Sequence, residues 1–280
     1  MSYVIVTPAR NEEAYIEDTI KSVEKQTIQP SVFVIVNDGS IDSTAEIVQR
    51  HKQIQLVTLQ DRGFRYRGAG VAFAVNKGIK IATSLDSNWS FLCKLDADII
   101  LPPDYFEKLF KLLSAKENRR LGIVSGVVRG ERTNLEHPRG AARIYRRKCW
   151  EDIGGRLQEI HGWDTYSDLR ARQFRWTTRG IQEIEIIQRR PTAGREHHLS
   201  VAFEVGRMMY VLGYHPLVAF ARGVKLLRKN PIASGILILS NILSHLNRRL
   251  RILPRDYYEY VKQEQKERIR RVILHKLAKK

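Results

Sequence analysis

The sequence predicts an α/β fold: a mostly parallel sheet flanked by helices, followed by a helical, basic C-terminal appendage. Three observations carry this expectation. Short apolar runs alternate with helical patterns through the N-terminal half, as in parallel sheets covered by helices on both faces. Polar clusters at Thr7–Glu12, Asn37–Ser40 and Asp96–Asp98 end these runs, and such sheets bind ligands at the carboxyl ends of their strands. After Ser200 the pattern is helical to the end. The expected division is residues 1–200 for the sheet domain and 201–280 for the appendage.

The elements follow in order. Tyr3–Thr7 reads as a buried strand. Asn11 is placed to cap a helix whose apolar residues Ile16, Ile20 and Val23 recur at helical spacing. Ser31–Val36 reads as a second strand, leaving through the turn Asn37-Asp38-Gly39-Ser40. Ser43-Thr44-Ala45-Glu46 has the form of a capping box. Ile54–Leu59 is a third strand, Gly68–Thr83 an Ala/Gly-rich helix, and Phe91–Leu95 a fourth strand. Pro102-Pro103-Asp104 opens a new helix. Gly122–Val128 is a further strand, followed by a loop with Gly130, Pro138 and Gly140. Ile153-Gly154-Gly155 is a turn, Thr165–Phe174 a helix and Glu183–Ile187 a late strand.

The 280 residues carry 48 Lys+Arg against 30 Asp+Glu, a net charge of +18. Hydrophobic and charged fractions of 43% and 28% are ordinary for a globular chain. They argue against disorder, collagen-like repeats and a polytopic membrane protein. Two cysteines, Cys93 and Cys149, exclude a disulfide scaffold, and no CxxC pair suggests zinc. Strand-like Tyr-Val-Ile-Val follows the start with no basic region before it, so no signal peptide is read and a cytoplasmic location is expected. The charge calls for an anionic partner: nucleic acid, an acidic membrane surface or a phosphorylated substrate. Its distribution discriminates among them. From Arg222 to Lys280 there are 16 basic and 4 acidic residues, a surplus of +12, whereas the first 221 residues hold only +6.

Asp96-Ala97-Asp98 sets two carboxylates on a sharp turn after an apolar strand. Alternate residues of an extended chain project to the same side, so both can face one site. Hard oxygen ligands of this kind suit Mg2+ or Mn2+ bound together with a diphosphate; a solvated turn is the plainer alternative. Asp38 also ends a strand, where it is either a turn residue or an acceptor for a nucleobase or ribose.

Together these segments resemble the family 2 glycosyltransferases, which have the GT-A fold. The resemblance is carried by Thr7-Pro8-Ala9-Arg10-Asn11-Glu12, Asn37 through Thr44, Ala74-Val75-Asn76-Lys77-Gly78, Asp96-Ala97-Asp98, Ile153-Gly154-Gly155, and Gly162-Trp163-Asp164 through Arg170. It implies a UDP- or GDP-sugar donor, a divalent cation (Mg2+ or Mn2+) and inversion at the anomeric carbon. Thr7, Pro8, Arg10 and Glu12 match the family's first nucleotide-binding loop. Asp38 matches the base-recognition carboxylate, Asp96 the position near the ribose and donor sugar, and Asp98 the metal ligand. Asp164 matches the catalytic base that deprotonates the acceptor hydroxyl. His197 and His198 follow the late strand, where many relatives place a diphosphate- or metal-facing residue; His197 is the candidate second metal ligand. The basic loop Asp61–Arg67 either faces phosphate or is simply exposed.

Departures from the family pattern are specific. Asn37-Asp38 stands where many members have Asp-Asp. Trp163 stands where the residue before the base is usually Glu; it either stacks on the acceptor or belongs to the core. Gln173-Phe174-Arg175-Trp176 resembles the QxxRW signature of processive synthases but is one residue short, so no processive polymerase is inferred.

In the appendage, Pro231–Leu246 is apolar but interrupted by Ser240, Asn241 and Ser244, and falls short of a bilayer span. Basic residues flank it, the pattern of a segment lying in a membrane interface; a helix docked on the catalytic body is the alternative. The charge is therefore read as a membrane-surface address, giving a peripheral protein on the cytoplasmic membrane face. The alternatives to a transferase of glycan or lipid-linked acceptors are a nucleotidyltransferase, against which the glycine-free Thr7–Glu12 counts, and a nucleic-acid binder, which lacks any recognised module.

Overall fold

The computed structural model describes residues 2–63, 68–131, 134–190, 198–247 and 250–277. The chain forms two compact units, Met1–Thr192 and Ala193–Lys280.

The first unit is an eight-stranded sheet in the order β3-β2-β1-β4-β7-β6-β8-β5. Strands β1 (Tyr3–Ala9), β2 (Val32–Asp38), β3 (Gln55–Leu59) and β4 (Phe91–Leu95) are parallel. The short β5 (Ile99–Ile100) pairs antiparallel with β8 (Thr177–Gln188), which runs parallel to β6 (Leu121–Val128). Between β4 and β6 lies β7 (Ala142–Arg146), antiparallel to both. The mostly parallel expectation is met, with this reversed strand added.

Alternate residues of β1 serve two different cores, as the period of a strand requires. Tyr3 and Ile5 join the apolar faces of α1 (Ile16–Glu24) and α4 (Tyr105–Ser114) on one side. Val4 and Val6 join α3 (Ala69–Leu85), α5 (Arg147–Asp152) and Trp163 on the other. Helix α2 is Thr44–Gln49 and α6 is Trp163–Gln173. Burial on both faces is why β1, β2 and β4 read as continuous apolar runs.

Two local expectations fail. Asn11 caps no helix; it sits at a φ of 54°, a left-handed conformation that Asn tolerates. Ser43 precedes α2 without a side-chain cap bond; instead Asp42 Oδ1 accepts from the Thr44 N–H at 3.1 Å. The Asx turn supplies locally what the capping box would have supplied.

The second unit contains α7 (His198–Val211), α8 (Pro216–Leu227), α9 (Pro231–Leu246) and α10 (Arg255–Leu277). Its core is small, built on Ala202, Ala233 and Leu237. Helices α7 and α9 approach closely at Gly206, where a Cβ would lie 2.3 Å from the Leu237 carbonyl oxygen. The buried side chains of α9 include Ser234, Ser240, Asn241 and Ser244, each bonded to a backbone carbonyl. Asn241 Nδ2 donates to Gly206 at 2.9 Å, Ser240 Oγ to Phe203 at 2.6 Å and Ser234 Oγ to Gly223 at 2.8 Å. Its Ile232, Leu239, Ile242, Leu243 and Leu246 are exposed. The polar residues that interrupt the apolar stretch in sequence are thus the inward face.

Candidate active site

The order β2-β1-β4 brings the carboxyl ends of three strands side by side. Their loops form the crevice. Thr7 is fully buried near the end of β1, and its Oγ1 has no hydrogen-bond partner among the described residues. Pro8 follows, paired in register with Val36. Arg10 Nη1 donates to the Asp38 carbonyl at 3.0 Å, and Nη2 pairs with Asp61 Oδ1 at 2.7 Å. Asn11 locks the same loops: its Oδ1 accepts from the Ile41 N–H at 2.9 Å and its N–H donates to Ser40 Oγ at 3.0 Å. Gly39, at φ 68°, lets the Asp38 turn approach Asp61, since a Cβ there would lie 2.6 Å from the Asp61 Cα.

Asp38 is nearly buried, and both its oxygens accept from Arg62 Nη2, at 2.8 and 2.5 Å. The Arg62 guanidinium lies 4.6 Å over the Phe73 ring. The carboxylate expected to meet a nucleobase therefore carries a counter-cation from the loop after β3.

The Asp96–Asp98 turn is held from both sides. Asp96 Oδ1 pairs with Lys94 Nζ, which also donates to the Gly140 carbonyl at 2.8 Å. Asp98 is 3% exposed; Gln188 Nε2 lies 3.4 Å from its Oδ2 and Arg190 Nη2 3.7 Å. Arg190 binds Glu12 through both carboxylate oxygens, at 3.0 and 2.8 Å. One guanidinium thus links the first loop to the Asp96–Asp98 turn. Burial, then the charge of Asp96, pushes the Asp98 carboxyl up to about 6. Mutually repelling hard carboxylates fit Mg2+ or Mn2+ that takes its other ligands from a diphosphate. Among the described residues no three His, Cys, Asp or Glu side chains are arranged to hold an ion by themselves. His197 and the basic residues Arg65 and Arg67 lie outside the described residues.

Asp164 occupies the first turn of α6, where the helix dipole favours its negative charge. Its Oδ1 accepts from the Thr165 N–H at 2.8 Å, and its Oδ2 lies 3.5 Å from His137 Nε2. His137 Nδ1 bonds in turn to Asp168 Oδ2. Asp168 and Arg143 are both fully buried and pair at 3.1 Å; Arg143 Nη1 also donates to the Asp164 carbonyl at 2.9 Å. Burial would raise the Asp164 carboxyl, but the bond to His137 and the charges of Arg143 and His137 outweigh it and hold it well below the usual carboxylate range. Burial would lower the His137 imidazole, but Asp164 and Asp168 outweigh that and push it up to about 9. The result at neutral pH is an ionised Asp164 backed by an imidazolium. The approach to α6 is pinned from α3: Asn76 Nδ2 donates to the Leu157 carbonyl and Asn76 Oδ1 accepts from the Leu157 N–H, both at 2.9 Å.

Trp163 is 6% exposed and belongs to the core cluster on the α3 face, with Lys94 Nζ 5.2 Å over its ring. Of the two alternatives read from the sequence, this burial favours the core over an acceptor platform. The shortened QxxRW segment is also spoken for: Trp176 is buried and donates to Asp152 Oδ2 at 3.0 Å.

Four residues here were missed in the sequence: Lys94, His137, Arg143 and Arg190. Two left a signal. Lys94 and Arg143 are cations inside segments otherwise apolar enough to be strands, and a buried cation needs a buried carboxylate. His137 and Arg190 left none, because their partners lie 31 and 178 residues away.

Comparison with known proteins bears on the fold and the family. The mannosyltransferase PcManGT from Pyrobaculum calidifontis, in complex with GDP-Man and Mn2+, matches 93% of this chain and 73% of its own at a TM-score of 0.58 and 17% identity. S. aureus TarS 1-349, in complex with UDP-GlcNAc, matches 89% and 73% at a TM-score of 0.53 and 15% identity. At these identities the likeness establishes the GT-A fold. Poly-beta-1,6-N-acetyl-D-glucosamine synthase of Staphylococcus aureus is 33% identical over 119 residues, 41% of this chain; its Staphylococcus epidermidis counterpart is 32% identical over 116. The match spans 26% of the length of each. The profile described as Glycosyl transferase family 2 matches residues 4–179, from the first strand through helix α6 and into β8. A match over more than half of the chain, on the fold its relatives use, makes this protein a member of glycosyl transferase family 2.

Proposed function

We propose that the chain is an inverting, metal-assisted hexosyltransferase that moves a sugar from a UDP- or GDP-sugar to a hydroxyl of a glycan or lipid-linked glycan. The observation that carries this reading is Asp164, ionised at the start of α6 and braced by His137, Asp168 and Arg143. The nucleotide-sugar ligands of PcManGT and TarS support the donor class, and the name of the staphylococcal synthases supports a glycan product.

In this reading Thr7, Pro8, Arg10, Glu12, Asp38 and Asp96 form the donor side. Asp38 accepts a base or ribose N–H or O–H once Arg62 yields it, and Arg62 is then free to face the diphosphate. Asp164 accepts the proton of the attacking hydroxyl. The new bond forms at the anomeric carbon as the bond to the diphosphate oxygen breaks, and that oxygen leaves with the electron pair. A carboxylate stabilised this well is a weak base, so it takes the proton late, after bond formation has made the hydroxyl acidic. Mg2+ or Mn2+, held by Asp98 beside Asp96, would neutralise charge on the departing diphosphate. Arg190, bound to Glu12 and 3.7 Å from Asp98, offsets the repulsion between these carboxylates where the cation would be held.

We assign this chemistry to a GT-A domain over 1–200 and a membrane-surface role to 201–280. Among the described residues no helix is long and apolar enough to cross a membrane. The outward apolar face of α9, the exposed Leu217, Phe220, Val224 and Leu227 of α8, and the basic surplus favour a unit lying peripherally on an anionic, cytoplasmic membrane face.

Asp164→Asn tests the base. Transfer is expected to fall by about 10²–10⁴-fold, with donor affinity measured by calorimetry nearly unchanged. Transfer at the normal rate would show that another group takes the proton.

A further inference from the structure

The helical unit holds a pocket that the transferase reading does not use. Its volume is about 360 Å³, within the range of small-ligand sites. Its walls come from the α7–α8 turn, the end of α9, the segment after it and one face of α10. Arg251, Lys262, Lys266, His215 and His245 line it, and among the described residues no carboxylate does. The acidic residues of α10, Asp256, Glu259, Glu264 and Glu267, all fall outside the lining. A concave site with three permanent cations and no counter-charge attracts an anion.

The cations are prepared for one. The Arg251 guanidinium lies between two tyrosines, 4.3 Å from the Tyr210 ring centre and 4.6 Å from that of Tyr258. Its planar fork is therefore pre-positioned, which reduces the entropy lost when it grips phosphate oxygens. Lys262 and Lys266 stand one turn apart on α10, where like charges repel without an anion to share. His245 packs edge-on against Tyr210, and its Nε2 is buried with no hydrogen-bond partner among the described residues. Burial, then Arg251 and His215, holds its imidazole below the usual range. The floor is rigid: Gln265 Oε1 accepts from the His215 N–H at 2.6 Å, and Gln265 Nε2 donates to the Gly213 carbonyl at 3.3 Å.

The surroundings select the kind of anion. Pocket residues Pro216, His245 and Arg251 are each followed directly by a large exposed apolar residue: Leu217 at 63%, Leu246 at 79% and Ile252 at 63%. Ile269 and Tyr214 add apolar surface to the lining itself. A phosphate in the pocket would therefore sit next to an apolar rim, the arrangement suited to a headgroup whose chains continue into hydrocarbon. Resting on the membrane-surface reading above, we propose that this pocket binds the phosphate of an anionic membrane lipid, seating the helical unit on its membrane at one defined point.

Vesicle flotation of the full chain tests the proposal, with phosphatidylcholine alone and with phosphatidylcholine mixed with phosphatidylglycerol. Lys262→Gln/Lys266→Gln removes two exposed charges from the pocket, and the same charge is removed from the first unit by Lys111→Gln/Lys116→Gln. The pocket variant is expected to lose about tenfold or more in affinity for anionic vesicles, and the control less than about twofold. Arg251→Gln, with its melting temperature measured alongside, should lose as much. Equal losses in pocket and control variants would mean diffuse charge attraction and overturn the pocket. Displacement from vesicles by inorganic phosphate, but not by chloride at equal ionic strength, would mean a free-anion site and overturn the lipid assignment. If the wild type shows no preference for anionic vesicles, the membrane-surface reading itself fails, and the pocket proposal with it.

Discussion

The two units solve opposite burial problems. In the first, apolar residues are inside and the buried charges are paired: Arg143 with Asp168, Glu12 with Arg190, Lys94 with Asp96. In the second, α9 turns Ser234, Ser240, Asn241 and Ser244 inward beside Leu237, and Ile232, Leu239, Ile242, Leu243 and Leu246 outward. Small hydroxyl and amide groups can be buried at low cost when each meets a backbone carbonyl, and they allow close helix approach. Leaving Leu246 and Ile242 in water has no such compensation, and this exposed face supports the membrane-surface role proposed above. The lesson is that burial has to be read from each unit's own surroundings. The sheet unit buries its aliphatics and gathers polar side chains at its strand ends, whereas α9 buries serines and an asparagine and exposes most of its aliphatics.

The contrast can be broken most directly through the buried ion pair. Arg143→Ala takes the buried guanidinium from Asp168 and leaves only His137 to face its charge, and is expected to destabilise the protein by roughly 3–5 kcal/mol. A change below about 1 kcal/mol in denaturant unfolding would show that the pair is not what organises the base-bearing segment. The next comparison uses one residue type in both units. Ile5→Ala, in the sheet core, should cost roughly 2–5 kcal/mol. Ile242→Ala, on the outward face of α9, should stay within about 0.5 kcal/mol in solution while weakening vesicle binding. Equal destabilisation at the two sites would remove the asymmetry. The smallest expected effect concerns pH. Since His137 is raised from 6.5 to about 9 when folded, its contribution to stability is complete below about 6.5 and is lost as pH rises through about 9. Wild type should therefore melt a few degrees above His137→Gln at neutral pH, with the gap closing above pH 9 or so. A gap that is constant across that range would uncouple His137 from the Asp164 and Asp168 carboxylates.

Much of the first unit could be read from the chain. Strands β1, β2 and β4 announce themselves because both faces are buried, and the polar clusters at their ends mark the crevice. Strand β7 was not read because two of its five residues, Arg143 and Arg146, are cations that interrupt the apolar run. In the fold, Arg146 donates to the Leu121 and Leu113 carbonyls and Arg143 pairs with Asp168, so both cations are satisfied by segments distant in sequence. Asn11 had the composition of a cap but not the role, because the Ile41 N–H takes its side-chain oxygen. Trp163 carried two equal readings that only burial could weigh.

By itself, the sequence determined the order of elements from β1 to β4, the family motifs and the concentration of basic charge in the last fifth of the chain. These are local or compositional properties, fixed by periodicity, turn chemistry and counting. Only the tertiary structure decided which groups meet: that Arg190 joins Glu12 to Asp98, that His137 stands between Asp164 and Asp168, and that α9 turns Leu237 inward but Leu239, Leu243 and Leu246 outward. Those outcomes depend on contacts between distant segments, and an ionisable or apolar side chain takes its energetic meaning from the neighbours that folding brings to it.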